Sequence, residues 1–263
     1  MFPGKSSVLA ALAATLTALK PPCLSDLGLE ADPVIALFLK EITKKDEEYA
    51  GLVMRSLGDL MLGVEQLPDC WDDLWQISQS HLTPPPDEEI KDEGEDQAPK
   101  KTKKNDRFVI QQPVQESAIL LVGVAWKVCK RQDKLVVPVT VFLTGLMKIC
   151  LWKVQLVLLC ALQRLLDSVK CATTDCRSNV YQSSLTCVLR CVDDAKHTSI
   201  RSLALKMVHD ILLACKGDGV GLSKEILVEI LSHIREQVAT DTNLNLKAKG
   251  IEIVSLCEKH FVV

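Results

Sequence analysis

The chain has 263 residues, 48% of them hydrophobic and 25% charged, enough for one large or two small domains with a sizeable core. Aromatic residues make up only 4% and glycines number 12, which argues against β-sandwiches, barrels and glycine-rich nucleotide folds and leaves a helical protein as the expectation. Thirty-one basic against 34 acidic residues give a net charge of −3, so nothing global draws the chain to nucleic acid or an anionic membrane.

At the N-terminus, Lys5 is followed by the uncharged run Ser6 to Leu19, which reads as a short helix packed by small residues. The competing reading of that run is a signal peptide. Against secretion stand eleven cysteines, an odd number spread from Cys23 to Cys257 without a compact framework, and the absence of any Asn-x-Ser/Thr sequon. Such usage suits a reducing compartment, the cytoplasm with access to the nucleus. No stretch reaches the ~18 uncharged residues of a membrane span, because Lys148, Lys153 and Arg164 interrupt the most apolar region, Leu135 to Leu166.

Residues 83–107 read TPPPDEEIKDEGEDQAPKKTKKNDR, with seven acidic residues between Asp87 and Asp96 followed by Lys100, Lys101, Lys103 and Lys104. With Ile90 almost its only apolar side chain, this stretch cannot offset its ordering entropy by burial and is expected to be a disordered charged loop. It separates residues 1–82 from 108–263 without dividing the fold. The lysine cluster reads as a solvated, self-neutralising segment, with a nuclear-import or docking patch as the alternative.

The flanking sequence is helical, and the helices repeat. From Ile200, the apolar or small positions Leu203, Ala204, Met207, Val208, Ile211 and Leu212 follow the spacing of one helix face. The same offsets recur from Tyr49 (Leu52, Val53, Ser56, Leu57, Leu60, Met61), from Val114 (Ser117, Ala118, Leu121, Val122, Ala125, Trp126) and from Val154 (Val157, Leu158, Ala161, Leu162, Leu165, Leu166). A weaker copy starts at Leu246 with Gly250, Ile253, Val254 and Cys257. Once the loop is removed, the anchors recur every 40 to 46 residues, the period of HEAT or armadillo arrays. Partner helices are expected at Pro33–Thr43, Asp69–Leu82, Lys134–Met147, Asn179–Val192 and Ser223–Ala239. Asp133, Ser223 and Asp241 are candidate N-caps, and Gly217 to Gly221 is a break between helices. Pairs rather than triplets favour HEAT, so the expected fold is an all-α, HEAT-like α-solenoid of about five helix pairs with one disordered loop. Arg201 and Lys247 follow their anchors where HEAT-like helices carry a basic residue, while Gln155 takes that place after Val154.

Candidate chemistry is sparse. Gly4-Lys5-Ser6 lacks the strand and upstream glycine of a phosphate loop, and Gly217-Asp218-Gly219-Val220-Gly221 lacks the spacing of a dinucleotide fingerprint, so they read as a helix start and a turn. Cys171, Cys176, Cys187 and Cys191 fall within 21 residues and hold the number of thiolates for zinc, but Cys187 and Cys191 share an apolar stripe with Val180 and Val188, as core cysteines do. His81, His197, His209, His233 and His260 show neither metal-ligand spacing nor a catalytic signature. No catalytic, cofactor-binding or metal residue is therefore assigned, and neither a cofactor nor a small-molecule substrate is expected.

Several ordered blocks resemble the C-terminal end of the large HEAT-repeat proteasome adaptor and scaffold family. They are Gly4-Lys5 opening an alanine-rich helix, Tyr49 to Leu62 (YAGLVMRSLGDLML), Ala125-Trp126 closing the helix after the charged insertion, and Trp152-Lys153-Val154-Gln155-Leu156 opening the next unit. The resemblance covers most of the chain, and the charged loop falls where that family has an insertion. It implies a non-enzymatic adaptor that binds the 26S proteasome, supports its assembly or quality control, and links it to endoplasmic-reticulum and endosomal membranes. Family members are several times longer, so the chain would correspond to their tail, as a fragment or short isoform. No family binding residue is carried over; Trp126 and Trp152 are expected to pack. The alternatives are a HEAT-repeat module of another large complex, such as a transport receptor, and a structural zinc protein.

Overall fold

The computed structural model describes residues 4–19, 28, 30–44, 46–64, 69–84, 109–110, 112–129, 135–169 and 173–261. The charged segment beyond Pro84, with Lys100, Lys101, Lys103 and Lys104, lies outside these residues, as do Asp133 and Cys171. The described chain is all-helical. Its helices are α1 (Lys5–Leu19), α2 (Ala31–Ile42), α3 (Glu47–Gly63), α4 (Trp71–Leu82), α5 (Pro113–Val128), α6 (Val136–Leu146), α7 (Trp152–Ser168), α8 (Thr174–Val192), α9 (Thr198–Asp218), α10 (Lys224–Thr240) and α11 (Leu244–His260). The one β-type pairing among the described residues is an isolated parallel bridge between Ile110 and Cys150.

Each boundary has a local cause. Asp46, Thr173 and Ser223 accept hydrogen bonds from the backbone N–H groups of Tyr49, Cys176 and Ile226, capping α3, α8 and α10. Pro113 opens α5, where its missing N–H costs nothing. Gly219 ends α9 at φ 65°, a left-handed conformation that suits glycine. Two expectations change. Helix α8 begins a turn before Asn179 because Thr173 caps it, and Asn243 rather than Asp241 caps α11.

Helices α1, α3, α5, α7, α9 and α11 pack in that order and form one layer. In the second layer α2 meets α4, and α6, α8 and α10 follow one another; each even helix also packs on the odd helix after it. The repeated faces are the reason: every position counted from Val114 is buried, as are Ala204, Met207, Val208, Ile211 and Leu212 in α9. Leu52 departs from the pattern, since it is 48% exposed on the outer side of α3. Contacts between neighbouring pairs join residues about one sequence period apart. Thr17 donates to the Asp59 carbonyl, Trp126 to the Ser168 hydroxyl, and Cys191 to the Met147 sulfur, at separations of 42, 42 and 44 residues.

Glycines set how closely the odd helices approach. A Cβ at Gly63 would lie 2.6 Å from the Thr17 Cα in α1, and one at Gly123 would lie 2.9 Å from the Ala161 Cα in α7. Gly51 faces the Val114 Cα at 3.1 Å in the same way, so α1, α3, α5 and α7 are joined nearly backbone to backbone. Between α7 and α9 the packing opens into a cavity of about 550 Å³ lined by Leu166, Asp167, Tyr181, Met207, Asp210 and Leu213, among others. The pair α4/α5, connected through the long charged insertion, is held at its other end. There Trp71 meets Trp126 edge-on at 5.1 Å, and the thiols of Cys70 and Cys129 touch at 3.8 Å. Trp75 continues this cluster to Phe142 of α6 at 5.2 Å.

Candidate functional site

Polar and aromatic side chains converge at the turns within the helix pairs, along one edge of the stack. The Ile110 N–H donates to the Ile149 carbonyl (2.8 Å) and the Leu151 N–H to the Ile110 carbonyl (3.0 Å), fastening the approach to α5 onto the α6/α7 turn. Trp152 at the start of α7 stacks on His197 at the start of α9, with centroids 4.4 Å apart and planes 11° from parallel. Asp194 holds His197 in place, accepting from its backbone N–H (2.6 Å) and lying 3.1 Å from its Nδ1. Arg201 donates to the Asp194 carbonyl (2.7 Å) and across to the Asp241 carboxylate (2.8 Å), reaching the α10/α11 turn.

This edge has two chemical characters. Trp152 remains 41% exposed and Leu151 46%, so part of the indole meets solvent while one of its faces rests on His197. Lys153 Nζ lies 5.6 Å from the indole centroid, within cation–π range. Past Asp194 opens a cavity of about 490 Å³, lined by Asp193, Asp194, Arg201, Glu236, Gln237 and Asp241 among others. Four carboxylates face one guanidinium there, and that guanidinium is already engaged by Asp241. Burial pushes the Asp241 carboxyl up, but hydrogen bonds from the Asn243 N–H, the Gln237 amide and Arg201 outweigh it and hold the group below its ordinary range. Asp194 is likewise held low, burial being outweighed by the His197 and Lys196 N–H groups and the imidazole. Both stay ionised at neutral pH, and the cavity suits a cationic side chain.

The other candidates are dispersed. Trp126 is buried and packs as expected, while Trp152 both packs and faces solvent. Among the described members of the cysteine group, Cys187 and Cys191 are core residues whose thiols burial pushes up to about 12, and no group of three metal-ligating side chains converges among the described residues. His209 pairs with Glu252 (3.0 Å) across α9 and α11, His233 with Asp193 (2.6 Å) across α10 and the end of α8, and His260 meets Lys216 (2.9 Å). His81 lies at the end of α4, where burial lowers its pKa. Lys5 opens α1 and sits 3.9 Å from Glu41, a buried carboxylate that also accepts from the Tyr49 hydroxyl (2.6 Å) and pairs with Lys44. Gln155 turns back to the Cys150 carbonyl (3.1 Å), so of the three residues after the anchors only Arg201 is seen to join one pair to the next. The sequence carried a signal for these links: Ile110 and Cys150, Trp152 and His197, and Arg201 and Asp241 are each separated by 40 to 45 residues.

No family model, no curated protein and no solved structure matches this chain. Among the described residues no helix is long and apolar enough to cross a membrane.

Proposed function

We propose that the chain is a HEAT-like α-solenoid serving as a non-enzymatic adaptor, with the 26S proteasome as its partner. The observation that carries the adaptor reading is the turn edge. Successive helix pairs repeat their turns at fixed spacing, and this line places an exposed aromatic side chain beside a carboxylate-lined cavity. A flat, rigid indole offers apolar contact at low entropic cost, and the carboxylates select a lysine or arginine nearby on the same partner. The proteasome is inferred from the resemblance of the ordered blocks, as are the endoplasmic-reticulum and endosomal links and a cytoplasmic and nuclear location.

Co-sedimentation of the full chain with purified 26S proteasomes tests the reading. Trp152→Ala and Glu236→Lys should weaken retention at least tenfold. Glu236→Lys, at an exposed position, should do so without changing the melting temperature, while Trp152→Ala also removes the stack on His197 and is compared with Trp152→Phe at matched folding. Charge reversal at Lys100, Lys101, Lys103 and Lys104 reports whether the insertion contributes. If neither this chain nor a longer form containing it retains proteasome subunits in a pull-down that recovers another complex, the proteasome assignment falls and the adaptor reading stands. Binding to that complex unaffected by Trp152→Ala and Glu236→Lys removes the turn edge as the contact.

A further inference from the structure

Helices α4 and α5 are neighbours in the stack, yet the chain between them is the long charged insertion, so no short turn ties them together. At the end remote from the insertion, Cys70 stands at the N-cap of α4 and Cys129 at the C-cap of α5. They are 59 residues apart in sequence, and their sulfurs lie at 3.8 Å. Both positions sit at the rim of a helix. The Cys70 carbonyl accepts from the Leu74 N–H (3.1 Å) and the Cys129 N–H donates to the Ala125 carbonyl (2.9 Å), so either side chain can turn while its helix keeps these bonds. Bonded sulfurs stand about 2.05 Å apart, which leaves a closing movement of about 1.8 Å for two side chains to share. Trp71, next to Cys70, meets Trp126, one turn before Cys129, and this contact holds the two thiols at high effective concentration. Cys191 differs: it lies within α8 and turns its thiol to the Met147 sulfur at 3.6 Å.

We propose that Cys70 and Cys129 form a reversible disulfide site, a dithiol that small disulfides of the glutathione class oxidise to a staple between α4 and α5. One thiol loses its proton and attacks the small disulfide, whose S–S bond breaks and releases one small thiol. The second protein thiol then loses its proton and attacks the mixed disulfide, releasing the other. The protein gives up two electrons and two protons, and the small disulfide takes them up. The hydrogen bond with Cys129 and burial raise the Cys70 thiol above its ordinary range, so the pair rests as a dithiol and exchanges slowly, faster as pH rises. Once formed, the bond closes residues 70–129 into one covalent loop that contains the insertion, which restricts the unfolded chain. The site lies at the edge of the stack opposite Trp152 and is independent of the adaptor reading.

Equilibration of the full chain with reduced and oxidised glutathione, at about 1 mM of each, tests the proposal. The products are quenched with acid, blocked with an alkylating agent, unfolded, digested with trypsin and mapped by mass spectrometry. More than half of the chain should carry peptide 56–91 linked to peptide 128–130, which hold Cys70 and Cys129. Refolding from urea in the same buffer approaches equilibrium from the unfolded side, so slow exchange in the folded chain cannot hide the result. The oxidised chain should melt at least about 5 °C above the reduced one, a difference absent in Cys129→Ala. Less than half linkage by both routes, Cys70 linked as abundantly to another cysteine, or an oxidised chain that melts no higher than the reduced one each overturns the proposal. The mapping uses the unaltered chain and decides the matter even if Cys129→Ala fails to fold.

Discussion

Replacing Gly123 by alanine tests the close approach of α5 and α7. An added Cβ would lie 2.9 Å from the Ala161 Cα and 3.0 Å from its Cβ, so a helix backbone rather than a flexible side chain has to move. Overpacking of this kind costs about 1–3 kcal/mol, while alanine in place of glycine gains about 1 kcal/mol of helix propensity. The net expectation is a loss of about 1 kcal/mol, or roughly 2–4 °C in melting temperature for a chain of this size. The same change at Gly145 in α6 meets nothing within 4 Å, so there the propensity gain stands alone and stability rises. Urea unfolding followed by circular dichroism, on both variants side by side, reads the two signs. Equal stabilisation by Gly123→Ala and Gly145→Ala would refute the claim that α5 and α7 are joined backbone to backbone.

Arg201→Ala leaves the Asp241 carboxylate, 4% exposed, without its guanidinium and should cost about 2–3 kcal/mol, while a double-mutant cycle with Asp241→Asn should show coupling above about 1 kcal/mol. Additive effects in that cycle would mean the pair does not join the last two helix pairs. Because Glu41, Asp194 and Asp241 have carboxyls held below their ordinary range, the stability they confer is complete above that range and is lost as pH falls through their folded values. Urea midpoints should therefore drop as the pH falls below the ordinary carboxylate range of about 4, and should drop less in Asp241→Asn. The buried thiols of Cys187 and Cys191 work at the other end of the scale: pushed up to about 12, they stay protonated in the folded chain while the unfolded chain ionises from about pH 9. Stability should fall by on the order of 1 kcal/mol per thiol between pH 8 and 10, and the slope should flatten in Cys187→Ala/Cys191→Ala.

Much of this architecture is legible in the sequence because one helix face is written several times over. The offsets from Val114, Val154 and Ile200 identify α5, α7 and α9 and most of their buried residues, since a face covered by neighbours on both sides leaves little freedom in residue type. The same logic fails at Leu52, where the outer edge of the stripe reaches solvent and an apolar residue is merely tolerated. It also fails at Asp241, whose place before α11 resembles a cap although its carboxylate serves Arg201. The edge that brings Trp152 to His197 and Arg201 to Asp241 is hidden from local patterns, because each partner belongs to a different repeat. Only the recurrence of their spacing hints at it.

The glycine contacts also determine how the molecule yields to a load. At Gly63, Gly51 and Gly123 the helices α1, α3, α5 and α7 meet with almost no side chain between them, so bending at those points has to force backbones together or apart. At the α7/α9 boundary the joint is made of side chains around a cavity, and rotamer changes absorb a change of angle at little cost. Mechanically, the chain is a stiff beam from α1 to α7 with a compliant joint after it. The Trp152–His197 stack spans that joint, so a change of angle between the two segments is felt at the stack.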